Sequence, residues 1–178
     1  MSDGLSATAA NENALETVSE LVKQLPADKW KISPIMIIPF ARVKIQDYIG
    51  QILGVRHSLV LIGERPGLGS PDSLSAYFTY KPRWESVESD RNCISNIRMQ
   101  GMPPKIAARK LALLLGESLR LGIGGTALKD NIDDAKLLES QIQPLPASEY
   151  CRRRKVMAFH SGGGSAPKLG YFAMRKGL

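Results

Sequence analysis

The chain has 178 residues, 43% of them hydrophobic, with 24 Lys and Arg against 17 Asp and Glu for a formal charge of +7. That length suits one domain with a real apolar core. No apolar run nears the ~20 residues of a membrane span, and Met1 to Leu25 lacks the basic start and apolar centre of a secretory signal. Cys93 and Cys151 lie far apart and form no CxxC pair, which argues against a disulfide framework or a cysteine zinc site. The expected setting is the cytoplasm, with both thiols reduced.

The chain opens on Ser2-Asp3-Gly4-Leu5-Ser6. A helix is then predicted from Asn13 to Leu25, with Leu15, Val18, Leu21 and Val22 on one face and Pro26 as its stop. Ile35-Met36-Ile37-Ile38, between Pro34 and Pro39, reads as a buried strand. Ile45, Ile49, Ile52 and Leu53 mark a second helix ended by Gly54, with Asp47 in its first turns where a negative charge suits the helix dipole. Leu59 to Ile62 is the next strand. Strand, helix and strand joined by short links predict parallel neighbours. The fold class expected is therefore α/β, with an open, mainly parallel (Rossmann-like) sheet and flanking helices.

The stretch that organises the rest is Gly63 to Leu74, GERPGLGSPDSL. An apolar strand that ends in Gly, a carboxylate, Arg and Pro opens into a loop where such sheets bind ligands. Glycine permits close approach of a ligand and Pro66 and Pro71 limit the loop's conformations, so Glu64 and Arg65 would stand on a stiff mount. An ordinary turn with a salt bridge is the plainer reading of the same residues.

Ser75 to Tyr80 has strand composition, 81–90 is a charged connection, and Arg91 to Arg98 suits a strand or loop lining something polar. Pro103 and Pro104 open a long helix, Lys105 to Leu121, that Gly122, Gly124 and Gly125 end. From about Asp133 the composition changes. Residues 151–178 carry seven of the 24 cations and no acid, so residues 1–150 balance at 17 against 17. The body is neutral, and the basic excess belongs to a Gly- and Pro-containing tail expected to be poorly ordered. Residues 1–132 are read as the α/β domain and 133–178 as the tail, and a nucleic-acid role is not the expected one.

Chemistry-bearing residues are few. His57 and His160 sit in places unsuited to a triad or a His-rich metal site, and Gly122-Ile123-Gly124-Gly125 follows a helix and so is no dinucleotide fingerprint. Cys93, between Arg91 and Arg98, could be an activated thiolate or a simply packed thiol. No catalytic residue and no metal ligand is assigned.

Four stretches together resemble the small (light) subunit of adenosylcobalamin-dependent ethanolamine ammonia-lyase: SDGLS at 2–6, ARVKIQDYIGQILG at 41–54, LIGERPGLGSPDSL at 61–74 and RNCISNIR at 91–98. They fall in family order at close to family spacing, and the resemblance covers roughly residues 2–130. It implies a component of a two-subunit enzyme that converts ethanolamine to acetaldehyde and ammonia by radical chemistry, active only with a large subunit that holds the substrate. It also implies a hetero-oligomer, in the cytoplasm or inside a bacterial microcompartment. The family's cofactor contacts match Val43, Glu64 and Cys93, as binding rather than reacting groups. Relative to the family the chain is N-terminally truncated, and residues after about Asn131 resemble nothing in it. The other reading is an inactive remnant that serves only as a protein- or polyanion-binding module.

Overall fold

The computed structural model describes residues 1–65, 70–132 and 171–175, the last by backbone alone. In chain order the elements are α1 (Ala7–Gln24), β1 (Lys31–Ile32), α2 (Ile45–Ile52), β2 (His57–Gly63), β3 (Leu74–Tyr80), β4 (Arg91–Ile97), α3 (Pro104–Leu121) and β5 (Tyr171–Arg175). The three helices expected from apolar periodicity are present. Ser6 caps α1 by accepting from the Ala9 N–H at 3.2 Å, and Gly122, at φ 73°, ends α3 in the left-handed region that favours glycine.

The sheet differs from the expectation. Its order is β1-β5-β2-β3-β4, and every neighbouring pair is antiparallel, so the parallel Rossmann-like arrangement does not form. The reason lies in the connections. A parallel pair needs a crossover of a dozen or more residues, usually a helix, whereas the links from β2 to β3 and from β3 to β4 are shorter than that and return each strand beside its predecessor. Ile35–Ile38 supplies none of the five strands. Prolines bracket it, and its backbone instead bonds Met1, which donates to the Met36 carbonyl at 3.1 Å while its own carbonyl accepts from Ile38 N–H at 3.4 Å.

The sheet has two different faces because strand side chains alternate. Leu59 and Leu61 of β2, Leu74, Ala76 and Phe78 of β3, and Ile94 and Ile97 of β4 point to one side, where α1 and α3 cover them. Burying each of the larger of these side chains contributes about 1.5–3 kcal/mol. On the other side, Val60, Ile62 and Tyr77 meet Ala41, Met36, Ile38, Val43, Ile45 and Ile49 from α2 and the segment before it. This second layer is shorter and leaves Cys93 of β4 exposed. Within the expected tail, Tyr171–Arg175 forms β5, which pairs with β2 along His57–Val60 and with β1 on its other edge. The rest of 133–178 lies outside the described residues.

Candidate ligand-contact site

The site is built at the end of β2, where the chain's opening turn is pressed against it. Ser2 N–H donates to the Leu61 carbonyl at 2.8 Å, Gly63 N–H to Ser2 at 3.3 Å and Leu5 N–H to Gly63 at 3.0 Å. So close is the approach that a Cβ on Gly63 would stand 2.1 Å from the Ser6 carbonyl oxygen, which explains the glycine. The same turn reaches the next segment. Asp3 Oδ1 accepts from Phe40 N–H at 2.6 Å and Ser2 Oγ from Ala41 N–H at 3.1 Å, so SDGLS fixes the backbone that leads into Val43.

Val43 is half-buried and packs on Val60 and Ile62, on the less covered sheet face. Glu64 is the first residue beyond β2 and is also half-buried. Its N–H donates to the Ser73 carbonyl at 3.0 Å, which extends the β2–β3 pairing by one step. Its carboxylate accepts from Ser73 Oγ on Oε2 and from Ser75 Oγ on Oε1. Cys93 lies directly across from Tyr77 in the β3–β4 register, and its thiol meets both the Tyr77 phenol and the Ser75 hydroxyl. The three residues singled out in the sequence therefore share one face. Arg65 is exposed, and residues 66–69 of the loop lie outside the described residues.

The electrostatics make Cys93 a poor nucleophile. Burial by its neighbours pushes the thiol up although the sulfur faces the open side of the sheet, hydrogen bonds with Tyr77 and Ser75 oppose that, and the Glu64 charge adds to the rise. The arginines that could have activated it are engaged elsewhere. Arg91 Nη2 donates to Asp47 Oδ2 at 2.5 Å, and Arg98 binds Asn96 Oδ1 at 2.8 Å and faces Asp72 at 3.6 Å. Burial and the adjacent Cys93 push the Tyr77 phenol up to about 12, so it remains a protonated donor near neutral pH. The activated-thiolate reading of Cys93 thus gives way to the simply packed, neutral thiol.

Sequence reasoning passed over Asp47 as a partner of Arg91, and over Ser73, Ser75 and Tyr77 altogether. The signal for the last two was present in LSAYFTY. Its alternation puts Leu74, Ala76 and Phe78 on one face and Ser75, Tyr77 and Thr79 on the other, as observed. His57, set aside earlier, is on the α1/α3 side, between the rings of Trp30 and Tyr80, where Ser118 Oγ lies 2.9 Å from Nε2. Ser118 donates to the Ile123 carbonyl at 2.6 Å, so it accepts from His57, which is consequently the Nε2–H tautomer. An open polar cleft of about 350 Å³, lined by Tyr80, Lys81, Arg83 and Asp90 among others, lies at the far end of β3 from Glu64. Among the described residues no helix is long and apolar enough to cross a membrane.

Fold and site together define a small α/β domain with a partly uncovered sheet face that pairs an oriented carboxylate with an apolar patch. The chain belongs to the ethanolamine ammonia-lyase light chain family (EutC), whose model matches residues 1–129. It is 45% identical over 137 residues to the ethanolamine ammonia-lyase small subunit of Azotobacter vinelandii, covering 77% of this chain and 51% of that one. To the small subunit of Pseudomonas syringae pv. tomato it is 38% identical over 169 residues, 94% of this chain and 56% of the relative. To that of Pseudomonas fluorescens Pf-5 it is 40% identical over 149 residues, 84% and 52% respectively. The chain spans about half the length of the curated relatives it matches. Coverage of 94% also carries the likeness past Asn131, where none was expected.

Proposed function

We propose that this chain is the part of an ethanolamine ammonia-lyase small subunit that contacts adenosylcobalamin, acting with a larger companion subunit in the conversion of ethanolamine to acetaldehyde and ammonia. The observation that carries the reading is the convergence of Val43, Glu64 and Cys93, from three separate motif segments, on one open sheet face. The donor set suits the cofactor. A corrin is a broad apolar ring fringed with amides, and a carboxylate with lone pairs to spare beside an apolar patch meets both parts.

Glu64 would accept amide N–H groups, Val43 would lie against the ring's apolar edge, and Cys93 with Tyr77 would offer a compact neutral contact. When bound, adenosylcobalamin supplies the radical by homolysis of its cobalt–carbon bond. The part of this chain is to bind, orient and shield. Among the described residues no group is placed to handle substrate, and the purified chain by itself should produce no acetaldehyde. A role in which the chain merely binds a protein or polyanion through its basic end is the competing proposal, and cofactor retention decides between the two.

The test is reconstitution of the full chain with the large subunit of a relative, followed by absorbance titration with adenosylcobalamin. Affinity should fall in the order wild type, Glu64→Gln, Glu64→Ala, with the alanine variant weaker by about ten- to a hundredfold, the equivalent of one hydrogen bond to a charged group. Thermal unfolding of the unliganded chain should change little. Unaltered affinity together with a large loss of apo stability would make Glu64 a structural residue and overturn the assignment.

A further inference from the structure

Ser73 and Ser75 stand two residues apart on neighbouring positions of β3 and its approach, so both point to the same face of the sheet. Glu64, at the end of the adjacent strand, falls between them. Each serine has one hydroxyl hydrogen to give, and each gives it to a different oxygen of the same carboxylate. Both serines are buried, Ser75 completely and Ser73 at 7% exposure, so the hydroxyls have exchanged water for Glu64. A buried hydroxyl without a partner costs about 1–3 kcal/mol, and a hydroxyl donating to a charged oxygen makes one of the stronger bonds available.

The arrangement has a directional consequence. A carboxylate offers about four lone-pair positions. Two are taken from the strand side, and the Glu64 backbone is held there as well by its N–H bond to the Ser73 carbonyl. The unused lone pairs are therefore turned to the open side and cannot rotate away without breaking a serine bond. Ser75 does more than Ser73, because it shares its sheet face with Tyr77 and the cross-strand Cys93 and so places Glu64 beside that pair. A salt bridge to a surface arginine would have left the carboxylate mobile and neutralised; two neutral hydroxyls leave its charge intact and its direction fixed.

We propose that Ser73 and Ser75 are positioning residues of the ligand site, clamping the Glu64 carboxylate so that its free lone pairs meet amide donors of the bound cofactor. The proposal rests on the reading of Glu64 as a cofactor contact, and its test separates the two.

Using the full chain paired with a large subunit, adenosylcobalamin affinity is measured for Ser73→Ala, Ser75→Ala, Glu64→Ala and the doubles Ser73→Ala/Glu64→Ala and Ser75→Ala/Glu64→Ala. Each serine variant should bind about 3- to 30-fold more weakly, the size expected of residues coupled through one network. In the Glu64→Ala background the same changes should alter affinity less than about twofold, because a clamp with nothing to hold has no effect. A merely structural serine would weaken binding equally in both backgrounds, and that additive result would overturn the proposal, as would wild-type affinity in both single variants. Should Ser75→Ala lower the apo melting temperature sharply, Ser73→Ala, at the more accessible position, decides the matter. If Glu64→Ala itself leaves affinity unchanged, the reading of the site fails first and the clamp with it.

Discussion

Asp47→Ala should remove a large part of this protein's stability and loosen two sides of the proposed ligand face at once. The Asp47 side chain is 0% exposed and that of Arg91 2%, and they meet at 2.5 Å. Thr79 Oγ1 donates to the second carboxylate oxygen at 3.0 Å, so α2, β3 and β4 are joined through one acid. Truncating it strands a buried guanidinium whose remaining acidic partner, Glu88, has an 89% exposed side chain. Breaking a buried pair in this way costs about 3–5 kcal/mol, against a total stability of about 5–15 kcal/mol for a typical domain. In urea the unfolding midpoint followed by far-ultraviolet circular dichroism should fall by about 1–5 M, given slopes of about 1–3 kcal/mol per M. Replacing both charges, as Asp47→Leu with Arg91→Met, should restore much of the loss, since an apolar pair carries no desolvation cost. Val43 lies just before α2, close in sequence to Asp47, and Cys93 follows Arg91 by one strand repeat, so cobalamin affinity of the reconstituted pair should fall alongside stability in the single variant. A midpoint drop below about 0.5 M, or a double variant no better than the single one, would refute the reasoning.

His57 is pushed down from 6.5 to about 3 by burial and by Arg56, so between those two pH values the unfolded chain takes up a proton that the folded chain refuses. Folded stability should therefore be unaffected by this group above pH 6.5 and fall as pH drops below it, by up to about 1.4 kcal/mol per unit. The stability gap between wild type and His57→Gln, taken from urea midpoints, should narrow from pH 7 to pH 4; a constant gap would show that His57 is not the titrating group. Gly63→Ala places a methyl 2.1 Å from the Ser6 carbonyl oxygen and 2.5 Å from that of Asp3, and should cost about 1–3 kcal/mol. An unchanged melting temperature would mean that the opening turn does not pack on β2 as described.

Much of the site could be read before any coordinates, and the reasons are local. Three helix faces follow from 3.6-residue spacing, and β2 and β3 from short apolar or alternating runs, because each pattern is decided by residues within a few positions of one another, whereas Arg91 to Arg98 read equally as strand or loop. The four motif stretches named Val43, Glu64 and Cys93 as contacts through likeness alone, without saying that they would meet. Strand direction was not legible. Leu59 to Ile62 reports burial on both sides, and burial is the same whether a neighbour runs parallel or antiparallel; the short connections and β5, more than a hundred residues later, settled it. The Pro34–Pro39 segment was misread for a related cause, since its apolar side chains are only half-buried, Ile37 is exposed, and its backbone hydrogen bonds go to Met1. Arg91 shows the limit most clearly. In sequence it neighbours Cys93 and could have lowered the thiol's pKa, but its guanidinium is taken up by Asp47, 44 residues away on α2. Sequence alone determined which residues are apolar, capped and turned, because those preferences act within a turn or two of chain. The partners of Glu64, Arg91 and Cys93 were decided only by tertiary structure, because charge and hydrogen-bond complementarity act through space between segments whose meeting no local pattern encodes.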